Sequence, residues 1–243
     1  MKSIPPIHKV KGYGTGNIYI IDAGEELVLV DSGIPQDYML VVDRIKSLGR
    51  SPVEVGHIIL THFHLDHAGS AAAFKRLSHA AVYAHEAEVG YLRGDEQISS
   101  VYSRGVVGSL VSLIPAAAAG IARVPAVEVD VACSDGQVID VLGGMRVIHS
   151  PGHTPGSASF FWEEQGVLFT GDCMINTYHV LTLPTNGFSV DFEQAAGSIC
   201  KVVDEVEGED VRLLCTGHGP MVDDCPQEKL LKVRGKMMRR AKA

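Results

Sequence analysis

Between Thr61 and Gly69 the chain reads Thr-His-Phe-His-Leu-Asp-His-Ala-Gly, with three histidines and one aspartate inside six residues. The apolar run Val55-Gly-His-Ile-Ile-Leu60 comes just before it and reads as a buried strand. The Ala-rich stretch from Ala68 to Leu77 comes just after and reads as a helix. The cluster is therefore expected on a tight loop at the C-terminal end of a strand, where α/β folds gather their chemistry. Four imidazole or carboxylate groups on one short loop have little structural purpose without a metal. The chain must fold so that a cation can reach them.

Three more ligand-type residues fall at expected strand ends. His153 lies in Ser150-Pro-Gly-His-Thr-Pro-Gly156, after a strand ending at His149. Asp172 follows a strand over 167–170, in Thr170-Gly-Asp172, and His218 follows one over 211–215, in Thr216-Gly-His-Gly-Pro220. Each stands beside Gly or Pro, and Gly lets the backbone turn sharply and approach a site closely. Imidazole with carboxylate suits Zn²⁺, Fe²⁺ or Mn²⁺. His62 and His64, at i and i+2, can face one side of an extended segment, while the adjacent Asp66 and His67 diverge toward a second ion. Five histidines and two aspartates exceed the needs of one tetrahedral ion with an open position. They suffice for two ions about 3.5–4 Å apart with a bridging carboxylate. Taken alone, His153 or His218 would read as a turn histidine; the dense first cluster reverses that reading. His8, His57, His79, His85, His149 and His179 read as ordinary surface or core residues, with His85 and His179 the two whose placement most needs the structure.

The rest of the chain supplies strands and helices around these loops. Asn17 to Ile21 and Leu27 to Val30 form a hairpin signal that ends in the turn Asp31-Ser32-Gly33. Gln36 to Leu48 has helical spacing and stops at Gly49. A short strand at Ala81 to Ala84 and a polar helix start at His85 to Glu88 follow. Hairpins are expected around Gly143-Gly144 and around Glu163 to Gly166, and a helix over Asp191 to Val206 with a capping box of Asp191 and Gln194. The tail from Lys229 carries seven Lys or Arg among apolar residues. It reads as a packed helix with a solvated face rather than a helix lying on a membrane. No repeat or linker marks a boundary, so residues 1–243 are expected to form a single domain of two sheets covered by helices. A helical insertion around 90–126 would serve as a lid, a dimer surface or packing decoration.

Composition narrows the partners. A hydrophobic content of 46% supports a sizeable core, and a net charge of −8 gives no sign of nucleic-acid binding. The five cysteines form no CxxC pair, which argues against a disulfide framework and a thiolate zinc site. The start, Met1-Lys-Ser-Ile-Pro-Pro, lacks an apolar signal segment, and no apolar run reaches the ~20 residues needed to span a bilayer. A cytoplasmic protein acting on a small molecule, off the membrane, is expected, with a homodimer as an option.

Taken in order, Val30-Asp31-Ser-Gly33, Thr61-His-x-His-x-Asp-His67, Pro151-Gly-His-Thr-Pro-Gly156, Gly171-Asp172 and Gly217-His-Gly-Pro220 resemble the motifs of the metallo-β-lactamase-fold hydrolase superfamily. The resemblance spans residues ~15 to 220. It implies an α/β fold, a four-layer αββα sandwich of two mixed sheets covered by helices. It implies His62, His64 and His153 on one metal, Asp66, His67 and His218 on a second, and Asp172 bridging. It also implies that Asp31 is not a ligand but supports the metal loop from behind. The expected cofactors are two divalent ions, zinc before iron or manganese. The expected reaction is hydrolysis of an ester-like bond by a metal-bridging hydroxide, with Asp66 and Asp172 as the catalytic carboxylates.

Departures from known branches bear on the substrate. β-Lactamases with a thiolate ligand need Cys where Asp172 stands, so Cys173 reads as a structural thiol. The glyoxalase II branch shares the metal positions and the Gly-His-Thr-Pro-Gly-Ser phrase, but the short tail after 221 offers no counterpart to its C-terminal helical domain. Quorum-signal lactonases are similar in metal set and size. They carry a tyrosine where this chain has Ile175, and Tyr178 is a candidate to replace it. The apolar make-up of the loop 174–190, with Tyr178, Leu181, Leu183 and Phe188, points to a pocket wall. A lactone or thioester is favoured, with broad specificity open. The alternatives are a phosphotriester, phosphodiester or β-lactam hydrolase and a mononuclear iron oxidoreductase of the persulfide dioxygenase type, which needs only three of the seven donors. A non-enzymatic binding role is the plainest alternative.

Overall fold

A computed structural model describes residues 4–13, 16–96, 124–184 and 188–240. The chain divides into two compact units, Ile4–Ala132 and Cys133–Ala243.

The first unit is built on a six-stranded sheet. In chain order its elements are β1 (Ile7–Lys11), β2 (Asn17–Asp22), β3 (Leu27–Val30), α1 (Tyr38–Ser47), β4 (Val55–Ile59), α2 (Leu65–Ala68), α3 (Ala71–Ser78), β5 (Ala81–His85), α4 (Val89–Arg93) and β6 (Val131–Cys133). The strands lie in sequence order. β1, β2 and β3 pair antiparallel, and β3, β4 and β5 pair parallel. The unbroken apolar runs explain the parallel part. Leu27, Val28 and Leu29 are all buried, as are Ile58 and Ile59, so both faces of these strands are covered. α1 turns Val41, Val42 and Ile45 inward. The helix expected after the histidine cluster is divided at Gly69-Ser70 into α2 and α3. Asp66 and His67 therefore stand on a helical turn, while His62 and His64 stand on the loop before it.

The second unit holds a five-stranded sheet in the order β13-β10-β9-β8-β7 and a separate two-stranded hairpin. Its elements are β7 (Val138–Ile139), β8 (Met145–His149), β9 (Ala158–Trp162), β10 (Val167–Gly171), β11 (Ile175–Thr177), β12 (Val180–Thr182), α5 (Phe192–Glu205), β13 (Leu213–Thr216) and α6 (Pro226–Arg240). β10 pairs parallel with β13, and the other neighbours in the sheet pair antiparallel. Ile148, Phe161 and Leu168 share a core with Ile199, Val202 and Val203 of α5 and Leu230, Val233 and Met237 of α6. Burying such a side chain contributes about 1.5–3 kcal/mol, which holds α6 to α5 as a packed helix. Asp191 caps α5, its Oδ1 accepting the Gln194 N–H at 2.9 Å.

Each unit thus joins a mixed sheet to helices, in agreement with the expected α/β class. The anticipated insertion falls mostly on residues 97–123, outside the described ones; its described flanks are the end of α4 and an irregular stretch over 124–130. Among the described residues no helix is long and apolar enough to cross a membrane.

Candidate metal centre

In the first unit, β4 delivers the loop that carries the histidines, and Asp31 at the end of β3 organises it. Asp31 is buried and sits at φ 59°, a left-handed conformation that Asp tolerates better than most residues. The Thr61 N–H donates to Asp31 Oδ1 at 2.9 Å. The Thr61 hydroxyl lies 2.9 Å from Oδ2 and 3.0 Å from His62 Nδ1. His67 Nδ1 lies 2.8 Å from the same Oδ2. An ionised carboxylate only accepts, so the His67 Nδ1–H must donate and Nε2 keeps its lone pair. The Thr61 hydroxyl has one proton, directed at Asp31, so it accepts from His62 Nδ1–H, and His62 Nε2 also keeps its lone pair. One buried carboxylate thereby sets the Nδ1–H tautomer of two histidines, the form in which an imidazole can offer Nε2 to a metal. The next residue adds two bonds, as the Ser32 N–H and hydroxyl both donate to the His67 carbonyl, at 2.6 and 2.9 Å.

His62 Nε2 lies 3.0 Å from His64 Nδ1, and His67 Nε2 lies 3.7 Å from Asp66 Oδ2. His62, His64 and His67 are buried, while Asp66 is half-buried. In the second unit, Asp172 gathers the partners. His153 Nε2 is 3.3 Å and His218 Nε2 3.1 Å from Asp172 Oδ2. All three stand on loops just past β8, β10 and β13, the strand ends expected from the sequence. His153 Nδ1 has Ser189 Oγ at 3.3 Å.

These spacings fit a divalent ion. With metal–nitrogen and metal–oxygen bonds of about 2.0–2.2 Å, two ligands of a tetrahedral ion lie about 3.3–3.6 Å apart. The pairs at 3.0, 3.1 and 3.3 Å are close to that edge, and the donors are the imidazoles and carboxylates that such ions take. The backbone is shaped for it too. A Cβ at Gly16 would overlap the Asp66 carbonyl, and one at Gly217 would overlap Asp172 Oδ1.

One contributor was missed from sequence. Glu88 is fully buried, and its Oε2 accepts the N–H of Phe63, the residue between His62 and His64, at 2.6 Å. The signal available was a glutamate ending the short polar run His85 to Glu88, which reads as a helix start. Cys173 is buried in the core of the second unit, and that burial pushes its thiol up to about 12. It is an inert structural thiol. The loop 174–190 divides. Met174, Leu181 and Leu183 enter the core, whereas Tyr178 and Phe188 are exposed. His85 is buried and its Nδ1 accepts the Ala87 N–H at 3.3 Å; His179 is exposed at the tip of the β11–β12 hairpin.

Residues 12–218 match the family described as the metallo-beta-lactamase superfamily. The chain is similar to a probable metallo-hydrolase, YflN of Bacillus subtilis (strain 168), at 31% identity over 84% of this chain and 80% of that protein. It is also similar, at 27% identity over 69% of this chain and 43% of the other, to an atrochrysone carboxyl ACP thioesterase of Aspergillus terreus. In structure it resembles the metallo-beta-lactamase family protein TTHA1429 of Thermus thermophilus, with a TM-score of 0.69, 22% identity and coverage of 98% of this chain and 80% of that one. That likeness shows the fold.

Proposed function

Since the chain belongs to the metallo-beta-lactamase superfamily and is a metal-dependent hydrolase, we propose that it is a dinuclear zinc enzyme cleaving an ester-like bond, a lactone or a thioester. His62, His64 and His153 would hold one ion and Asp66, His67 and His218 the other, with Asp172 available to both. The observation that carries this reading is the Asp31 relay, which sets the Nδ1–H tautomer of His62 and His67 together. A lone iron would need three of the seven donors; a relay prepared for both the His62 and the His67 positions supports two ions. When bound, such ions supply Lewis acidity, ionising a water near neutral pH and polarising the scissile carbonyl.

The chain's own side chains do the rest. Asp66, half-buried beside His67, receives the proton of the attacking water and passes it to the leaving group. Asp172 keeps His153 and His218 aligned through its Oδ2. Phe188, exposed near Ser189, walls the acyl side. The thioester option draws support from the relative named as an ACP thioesterase, and the absence of a cysteine at 172 separates this chain from thiolate-ligand β-lactamases.

His62→Ala and Asp172→Ala are expected to abolish hydrolysis and to lower bound metal. Elemental analysis of the purified protein should find two zinc per chain, and a panel of a lactone, a thioester, a phosphotriester and a β-lactam ranks the substrates. One iron per chain, or full activity after metal stripping, would reject the reading.

A further inference from the structure

Seven Lys or Arg stand in the tail from Lys229, and α6 sorts those it carries into two kinds. Those turned to α5 are matched: Arg234 pairs with Asp204 and Glu207, and Arg240 lies over the Phe192 ring and 4.0 Å from Glu193. Those turned to the β11–β12 hairpin are not. Lys229 has Asp224, but among the described residues Lys232, Lys236 and Arg239 have no carboxylate partner. They follow helical spacing and stack like charges along one line, which works against the helix. This happens in a chain whose net charge is −8, where acidic partners are plentiful.

These cations form one wall of a groove of about 300 Å³. The opposite wall is the hairpin, with His179 and Val180, and the floor is Leu181 and Val233. The hairpin itself is unusual. Its two-residue turn is Tyr178-His179, both left-handed, at φ 51° and 64°. Turns of this kind ordinarily use Asn-Gly, because a side chain at positive φ is strained. The strain presents Tyr178 almost wholly to solvent, at 92% exposure, next to His179 at the groove. The hairpin also leads back to the metal loops: β11 starts three residues past Asp172, and the Asn176 N–H donates to the His218 carbonyl at 2.9 Å.

Unmatched cations over an apolar floor, beside a projecting aromatic ring, fit an anion that carries a flat ring. We propose that the groove between the β11–β12 hairpin and α6 binds a nucleoside phosphate, its phosphates on Lys232, Lys236 and Arg239 and its base stacked on Tyr178. Two sources share this chemistry: a free nucleotide, and the nucleotide handle of a coenzyme A thioester. Only the second rests on the hydrolase reading above.

Calorimetric titration of the metal-loaded protein with ADP and with coenzyme A tests the site. Both ligands are expected to bind, about tenfold or more weaker in Lys232→Glu/Lys236→Glu and about threefold weaker in Tyr178→Ala. Pyrophosphate is expected to lose affinity in the first variant and not in the second. His62→Ala should bind ADP as the unaltered protein does. Metal content and thermal midpoint of the groove variants should be unchanged, since all three side chains are exposed. Absence of binding, binding indifferent to the charge reversals, or binding lost in His62→Ala would overturn the proposal; so would charge reversals that abolish adsorption to phosphatidylserine vesicles and leave ADP binding intact. A KM for acetyl-coenzyme A that rises in the double variant, with that for acetyl-pantetheine unchanged, identifies the thioester handle as the source. Equal KM values with ADP binding lost identify a free nucleotide. If neither thioester is hydrolysed, the thioester reading fails and the ADP titration still decides the groove.

Discussion

Asp31 shows how much of the histidine loop depends on one group outside the proposed ligand set. It fixes two imidazoles from 30 or more positions away in sequence. Asp31→Asn would place an amide donor or a weaker acceptor against the His67 Nδ1–H and the Thr61 hydroxyl. Zinc affinity is expected to fall about 10–100-fold, read by competition with a chromophoric chelator, with the circular dichroism spectrum retained. Glu88 acts on the backbone of the same loop. Glu88→Ala leaves the Phe63 N–H buried without its acceptor, which costs about 1–3 kcal/mol, whereas Glu88→Gln keeps an oxygen there. Thermal denaturation should show the larger loss for alanine and substantial recovery for glutamine. At Gly217, an added Cβ collides with Asp172 Oδ1, so Gly217→Ala is expected to lower bound metal while the protein stays folded. An unchanged metal content would reject that role. The loops that carry the candidate ligands were legible residue by residue, because histidine and aspartate beside Gly and Pro mark such loops directly. Glu88 was not, since a lone glutamate at a helix start is ordinary surface chemistry until its burial is seen.

At the scale of elements, strong local patterns were legible. The hairpins β2–β3 and β9–β10, the helices α1 and α5 and the core strand β4 lie where periodicity and turn residues placed them. The weak ones were not. β1 is short and only partly buried, and the three-residue strands β11 and β12 meet at Tyr-His, which carries no turn signal. A helix over Ala68 to Leu77 was expected after a loop; instead a first turn already holds Asp66 and His67, and the break at Gly69-Ser70 arises because Ser70 is drawn away, its hydroxyl donating to the Ile34 carbonyl. The loop before β7 is held by charge. Burial opposes ionisation of Asp135, but the Lys201 ammonium at 2.7 Å and the His149 N–H outweigh it and hold its carboxyl below the usual range. A depressed carboxyl contributes stability above its unfolded value, and that contribution is lost as pH falls through the folded one. The thermal midpoint should therefore drop on acidification below about pH 4, and the drop should be smaller in Asp135→Asn. An identical acid limb in the variant would discount the clamp.

For the whole molecule, a ligand that binds only the folded chain raises its stability. At free zinc 1,000-fold above Kd a site adds about 4 kcal/mol, and each kcal/mol moves the midpoint of a chain this long by about 2–4 °C. Chelation of both ions is expected to lower the midpoint by about 20 °C, measured by scanning calorimetry before and after zinc is restored. By itself the sequence determined the α/β class and the strand-end loops that carry His62, His64, His153, Asp172 and His218, because strand periodicity, turn chemistry and donor type are local properties. Tertiary structure alone decided which tautomers His62 and His67 take, what braces Phe63, and which cations of the last helix remain unmatched. Each of these depends on groups distant along the chain meeting in space: Asp31 with Thr61 and His67, Glu88 with Phe63, and α6 with a hairpin that carries no turn signal.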